Sequence, residues 1–337
     1  MFTKPVAGGG GRELYFYRGP GPEGGTVNKI RLRDFGAPSN PYVSSDGNFV
    51  TFFESGGSAI GLSDLRIFSE SRATKRVLVA DPGQQVGNPV LSAGAEVIAY
   101  QLTEGGSKKL YLFDTVLEET TPVWELPGNT GFPRISDPGD AVFFHSDSNA
   151  AQVHEVIRWT PAAGPRNVSE SSTSQDQHPE VSRNGETACW RRSSSQTDLV
   201  GNIVIWADNI RRDITKEHGA TLFLRNHFDC QIAAGGRHVV FRAHGENTRL
   251  AWLAKGAFWL YDLNAHEHYL LPEPEGVDKD QEYSPWRLSS DGRYVVFAAH
   301  PLGSDRPDVF ALDLVTGSTY NLTDSPDAEG LGTPGVN

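Results

Sequence analysis

Five histidines between residues 145 and 300, His145, His178, His227, His244 and His300, have the most chemistry to offer. Imidazole is the usual acid/base group near neutral pH and the commonest side-chain metal ligand. His178 and His227 stand near Gln175, Asp176, Glu180 and Asp229 in sequence. Such a mixed nitrogen and oxygen set suits a divalent metal of the manganese or zinc type. No HExxH or other tight ligand spacing accompanies it. Arg134 and Arg287 form a second group, because a guanidinium stays charged and grips carboxylate or phosphate through a planar fork. Their alternative role is an internal salt bridge, with Glu180 or Asp229 as partner. Arg191 and Arg192 add positive charge beside the histidines. Tyr42, Tyr283, Trp190 and Trp286 offer rings on which a sugar could stack, although packing is the favoured role for both tryptophans. The chain has no GxSxG elbow and no GxxxxGK[ST] loop, so no nucleotide cofactor is expected. The run Gly8 to Gly11 precedes a strand rather than a helix and reads as a flexible lead-in.

These residues are carried by a repeated β-hairpin. Tyr283 to Ala299, YSPWRLSSDGRYVVFAA, shows it best: a short strand, a tight Ser-Ser-Asp-Gly turn, and a strand rich in β-branched and aromatic residues. Six copies align on the turn glycine, at Gly47, Ala95 in the glycine slot, Gly139, Gly185, Gly236 and Gly292. They recur at intervals of roughly 45–55 residues, a period that signals a propeller or solenoid. Two further strand signals follow each hairpin, so each repeat supplies the four antiparallel strands of a propeller blade. No stretch carries a 3.6-residue apolar period, and almost no helix is expected.

The expected architecture is therefore all-β, a seven-bladed propeller of four-stranded antiparallel blades filling one domain over residues 1–337. The seventh blade is expected to combine Arg12–Gly19 and Thr26–Asp34 with a closing inner strand from residues 332–337, which leaves no open sheet edge. Six blades is the alternative. In a propeller the first strand of each blade lines the central channel, and its residues alternate between channel and blade interface. The aliphatic position four before the slot, Val43, Leu91, Ile135, Val181, Ile232 and Leu288, is expected to pack between blades. Positions five and seven before it are expected to face the channel. Among them are Tyr42, Arg134, His178, Glu180, Asp229 and Arg287. A first strand's start and a second strand's end share one face. The five histidines, Tyr283 and Arg192 thus gather on that face, in the sector of the third to sixth repeats.

Composition bounds the partners. A net charge of −12 argues against a nucleic-acid partner held through phosphates. No window approaches a membrane span, and the N-terminus has no secretory h-region, so a cytoplasmic location is expected unless the chain is a mature secreted form. The 36 glycines and 21 prolines suit an all-β chain of many turns. Cys189 and Cys230 both fall in strands and read as buried free thiols.

The hairpins resemble the TolB-type propeller repeat, a proline, a small alternating run, Ser-Pro-Asp-Gly and an apolar strand, most nearly at Ser44–Gly47 and Ser289–Gly292. That resemblance covers nearly the whole chain and speaks for fold rather than function. Within this group, oligogalacturonate lyases are seven-bladed propellers with a histidine-rich face and a metal held by His and Gln. The run Gln175-Asp176-Gln177-His178-Pro179-Glu180 is similar to their Gln-x-x-His-x-His ligand run, with Glu180 where a histidine is expected. The likeness implies a metal-assisted lyase acting on a small anionic, uronate-like saccharide at the channel mouth. A metal or an arginine, Arg134 or Arg287, would neutralise the uronate carboxylate, and His227 or His244 would take the proton in β-elimination. Gln175, His178, Glu180 and Asp229 are then the candidate metal ligands. Arg192, Tyr283, His145, His300 and Tyr42 are the candidate substrate contacts. The alternative is a non-catalytic propeller that binds a protein or carbohydrate partner.

Overall fold

Each hairpin turn is closed by its own side chains. The residue in the glycine slot has positive φ in all six repeats, from 57° at Ala95 to 79° at Gly139, which is why glycine fills five of them. In every repeat but the fifth, which has Ala233 there, the serine three positions earlier accepts the backbone N–H of the returning strand. Ser44 Oγ receives Phe49 at 3.0 Å, Ser136 Oγ receives Ala141 at 3.0 Å and Ser289 Oγ receives Tyr294 at 2.8 Å. The turns also lock onto one another, because the Asp137 N–H donates to the Arg183 carbonyl at 2.7 Å and Arg183 to Ala234 at 3.2 Å.

The computed structural model describes residues 2–5, 12–18, 26–29, 39–53, 57–64, 75–79, 81–126, 128–147, 153–171, 173–194, 201–217, 224–225, 230–245, 257–278, 286–289, 291–323 and 330–331. It is an all-β propeller of antiparallel blades. Six blades are built from consecutive strands, one per hairpin repeat, and the fifth has an extra short strand, Leu224–Arg225. The six repeat blades are the count that the hairpins alone supply. A further four-stranded sheet joins both ends of the chain, in the order Gly330–Leu331, Phe2–Pro5, Arg12–Arg18, Thr26–Lys29. Gly330–Leu331 pairs with Phe2–Thr3; the closing strand expected in residues 332–337 lies outside the described residues. Arg12–Arg18 is third in that order, because Phe2–Pro5 takes the second place. Among the described residues the helical content is a single turn, Ile214–Glu217, and no described helix is long and apolar enough to cross a membrane.

Five apolar clusters sit between successive repeats, each joining two neighbouring blades. The aromatic slot of the second strand contributes to each of them: Tyr100, Phe144, Trp190, Phe241 and Phe297 are buried. Trp190 and Trp286 therefore pack, as expected. The cysteines overturn the expectation of free thiols. Cys189, in the second strand of repeat four, is disulfide-bonded to Cys230, in the first strand of repeat five, with Cα atoms 6.3 Å apart. Adjacent blades bring the two strands face to face, which a hairpin alignment within one repeat does not reveal.

Candidate functional site

The first strands line the channel, and each of the first four carries a bulge. Their ladder register skips between Ser39 and Tyr42, Gly87 and Val90, Gly131 and Arg134, and Gln177 and Glu180. A proline lies in each skip, where its missing N–H costs no ladder bond. The residue before it takes a left-handed backbone at Asn88, Phe132 and His178, with φ of 46°, 48° and 57°. Non-glycine residues in this region are strained, and bulges re-aim side chains next to functional sites.

Beyond the bulge, toward the turns, five side chains form the floor of a cavity of about 460 Å³: Tyr42, Arg134, Glu180, Gln231 and Arg287. Arg134 grips Glu180 through two bonds, Nε to Oε2 at 2.8 Å and Nη2 to Oε1 at 2.7 Å. Gln231 Nε2 donates to the same Oε1 at 3.1 Å. The Arg134 guanidinium also lies 5.6 Å from the Tyr42 ring centre. These blades are not adjacent; the intervening repeat presents the small Val90, so Tyr42 can reach across. Burial pushes the Tyr42 hydroxyl up from its ordinary value, against the opposing pull of Arg134. Arg287 Nη1 donates to the Trp286 carbonyl at 2.8 Å. Of the aliphatic residues expected to pack between blades, Leu91, Ile135, Val181, Ile232 and Leu288 join the inter-blade clusters, and all six, Val43 included, wall this cavity.

On the other side of the bulges, imidazoles gather. His178 stacks on Phe132 with ring centres 4.1 Å apart. His145 lies 5.3 Å from Phe132 and 4.7 Å from His154, which it meets edge-on. The His178 backbone N–H donates to His145 Nδ1 at 3.4 Å, so a neutral His145 carries its proton on Nε2. Burial holds His145 well below the ordinary histidine range, helped by His154, His178 and Arg191. His154 is lowered as well, first by burial, with Gln175 opposing. Its Nδ1 lies 2.9 Å from Gln175 Oε1 and 2.7 Å from Gln177 Nε2, so one ring nitrogen faces an acceptor and a donor. Arg191 Nη2 donates to Gln177 Oε1 at 3.0 Å.

Of the residues singled out from sequence, the structure brings His145 and His178 together, and Tyr42, Arg134, Glu180 and Arg287 together on the opposite side of the bulges. Arg192 is held within its own blade, where Nε and Nη2 donate to Asp176 at 2.7 and 3.0 Å. His300 follows the strand Tyr294–Ala299, and its carbonyl accepts the Asp278 N–H at 2.7 Å. His244 lies in the strand His238–Gly245, opposite Arg225. His227, Asp229 and Tyr283 fall outside the described residues. His154 and Gln177 were not anticipated. The signal for His154 was its place just before the third strand of repeat three, on the face where the second strand ends.

Of the four candidate metal ligands, Asp229 lies outside the described residues, and Gln175 and Glu180 are engaged with other side chains. Gln175 Oε1 serves His154 through its backbone N–H and its ring, both at 2.9 Å. Both Glu180 oxygens are taken by Arg134. Among the described residues no group of three or more His, Cys, Asp or Glu side chains could hold a metal ion. The residues present thus do not fit the metal set implied by the lyase resemblance.

No family model matches the chain, and no curated protein does. Solved structures match its fold. The propeller domain of the Trilobed protease from Pyrococcus furiosus aligns with a TM-score of 0.64 at 13% identity, over 97% of this chain and 94% of that one. Oligogalacturonate lyase from Vibrio parahaemolyticus aligns at 0.60 and 10% identity, over 85% and 80%. A second oligogalacturonate lyase structure, in complex with manganese, aligns at 0.56 and 14%, over 87% and 75%. TolB from Acinetobacter baumannii aligns at 0.48 and 15%, over 83% of this chain, which spans 64% of that TolB. The chain thus shares the β-propeller fold of these solved structures.

Proposed function

We propose that this propeller is a lyase for a small anionic, uronate-like saccharide, bound at the end of the channel where His145, His154 and His178 meet. The observation that carries the reading is the imidazole cluster, in which burial keeps His145 and His154 neutral. A neutral imidazole is a competent base at pH 7. His154 and His178 are partly exposed, whereas His145 is buried and positions the His178 backbone. Arg191, beside Gln177, supplies a fixed positive charge for the substrate carboxylate. The base removes the proton from the carbon next to that carboxylate. The electron pair forms a C=C bond, and the C–O bond β to the carboxylate breaks, its oxygen leaving with a proton.

Manganese is a property of one structural relative, and each step here is assigned to side chains of this chain. The Cys189–Cys230 disulfide favours an oxidising compartment over the cytoplasm. The test is ultraviolet absorbance of new double bonds from oligogalacturonate, run on purified protein after elemental analysis and again with added manganese. Absorbance should rise, and fall by about a hundredfold in rate in His154→Gln or His178→Ala. Binding without absorbance under both conditions supports the non-catalytic alternative and overturns the lyase reading.

A further inference from the structure

We infer that the turn end of the channel binds a small uncharged carboxamide with a compact apolar body. The cavity there is balanced in charge, because Arg134, Arg183 and Arg287 line it together with Asp46, Asp137 and Glu180. A charged ligand would give up its hydration with no net opposite charge to replace it, so the walls favour a neutral one. Two polar groups on the floor are left to recognise that ligand. Gln231 is buried, with 8% exposed, and its Nε2 donates to Glu180 Oε1 at 3.1 Å. A carboxylate only accepts, so this bond fixes the orientation of the Gln231 amide and turns its Oε1 the other way. No donor among the described residues reaches that oxygen. The Tyr42 hydroxyl likewise makes no hydrogen bond among the described residues, while its ring lies 5.6 Å from the Arg134 guanidinium. Burial raises its pKa, so it stays a protonated donor. A primary carboxamide answers both groups, its C=O accepting from Tyr42 and its N–H donating to Gln231.

The apolar body finds its own contacts. Val43, Val181, Ile232 and Leu288 are only half-buried, so part of their aliphatic surface faces the cavity. Apolar walls with a few convergent polar groups are what small-molecule sites share. The rim limits size. Arg183 Nη2 donates to the Ser45 carbonyl at 2.7 Å, from a blade three repeats away, and its Nε lies 3.4 Å from Asp137 Oδ2. Ser45 Oγ donates to the same Asp137 carboxylate through Oδ1. This bridge ties three turns together and pairs its own charges. A cavity of about 460 Å³ with such a rim holds an aromatic or short aliphatic amide, not a polymer. The site lies beyond the bulges from the imidazole cluster and stands or falls apart from the lyase reading.

The probe is 3-phenylpropionamide, titrated calorimetrically. Its twins are 3-phenylpropionate, which is charged, and the N,N-dimethyl amide, which has no N–H to donate. The primary amide should bind with a submillimolar constant and each twin about tenfold more weakly or worse. Tyr42→Phe, which keeps the ring, and Gln231→Leu, both checked for parental melting, should each weaken the amide by about fivefold. No binding of the amide by the parent overturns the proposal. So does a twin that binds as tightly as the primary amide, or a folded Tyr42→Phe or Gln231→Leu that binds like the parent. If neither variant folds, the comparison of the three ligands on the parent decides.

Discussion

Gly131→Ala tests the imidazole cluster most directly. A Cβ at Gly131 would lie 2.1 Å from His145 Nε2, 2.7 Å from Cε1 and 2.9 Å from Cδ2. Ordinary van der Waals contact begins at 3.4 Å, so the ring must retreat by about 1.3 Å. It has little room, with His154 edge-on at 4.7 Å and Phe132 at 5.3 Å. Overpacking of this kind costs about 2 kcal/mol. With an unfolding entropy of roughly 2.1 cal/mol/K per residue, 337 residues give about 0.7 kcal/mol/K, and Tm should fall by about 3 °C. The displaced ring also gains water, so its pKa should climb back toward the ordinary histidine value, a change that NMR titration of the ring protons reads. The backbone itself does not require glycine here. In repeat four Gln177 occupies the corresponding register, opposite Arg191 as Gly131 is opposite His145. Gly87 in repeat two, opposite Gln101, has open space around the Cβ position. Gly87→Ala is therefore the control and should melt like the parent. If Gly131→Ala also melts like the parent and leaves the histidine titration unchanged, the packing argument is refuted.

Two further outcomes follow from the interior. The disulfide closes a loop of sequence separation 41; in the chain-entropy picture that contributes about 4 kcal/mol, so Cys189→Ala with Cys230→Ala should lower Tm by about 6 °C, as should reduction of the parent, and an unchanged melt in both would show that the blades do not depend on it. Stability should also decline in acid: below about pH 6.5 the unfolded chain binds protons at His145 and His154 that the folded chain, with both groups lowered, does not. His145 contributes up to about 1.4 kcal/mol per pH unit below that point, and the partly exposed His154 less. Melting curves between pH 7.5 and 5.5 should show the loss, and a His145→Gln/His154→Gln double variant should flatten it; equal slopes for parent and variant would contradict the burial assigned to these rings.

The hairpin could be read from sequence because its chemistry is local. A serine that catches the returning N–H, a slot that needs positive φ and an aromatic that fills the next interface all lie within a dozen residues of one another. Alternation along the first strand then placed Tyr42, Arg134, Glu180 and Arg287 together, and the Arg134–Glu180 pair was one of the two roles weighed for that arginine. Contacts between repeats were less legible. Cys230 stands in the slot that proline or tryptophan fills elsewhere, and its bond to Cys189 depends on the offset between two blades, which no pattern within a repeat encodes. The closing strand expected from a Pro-x-Val pattern in residues 332–337 lies outside the described residues, and the described pairing with Phe2–Pro5 uses Gly330 and Leu331 just before it.

Arg192 shows where the sequence carried a signal that face counting alone overlooks. In the hairpin of repeat four, the register that sets Glu180 opposite Cys189 also sets Asp176 opposite Arg192 and Gln177 opposite Arg191. A carboxylate directly across an antiparallel pair is the first partner to assign to an arginine. Asp176 is fully buried and also accepts the Trp190 indole N–H at 2.7 Å. Desolvation raises its pKa, and Arg192 opposes that rise by hydrogen bond and charge. Removing Arg192 would leave a buried carboxylate short of a partner, so this arginine is bound to the blade rather than free for a ligand. Arg191 stands opposite an amide instead of an acid, and its Nη2 donates to Gln177 Oε1 at 3.0 Å beside the imidazoles.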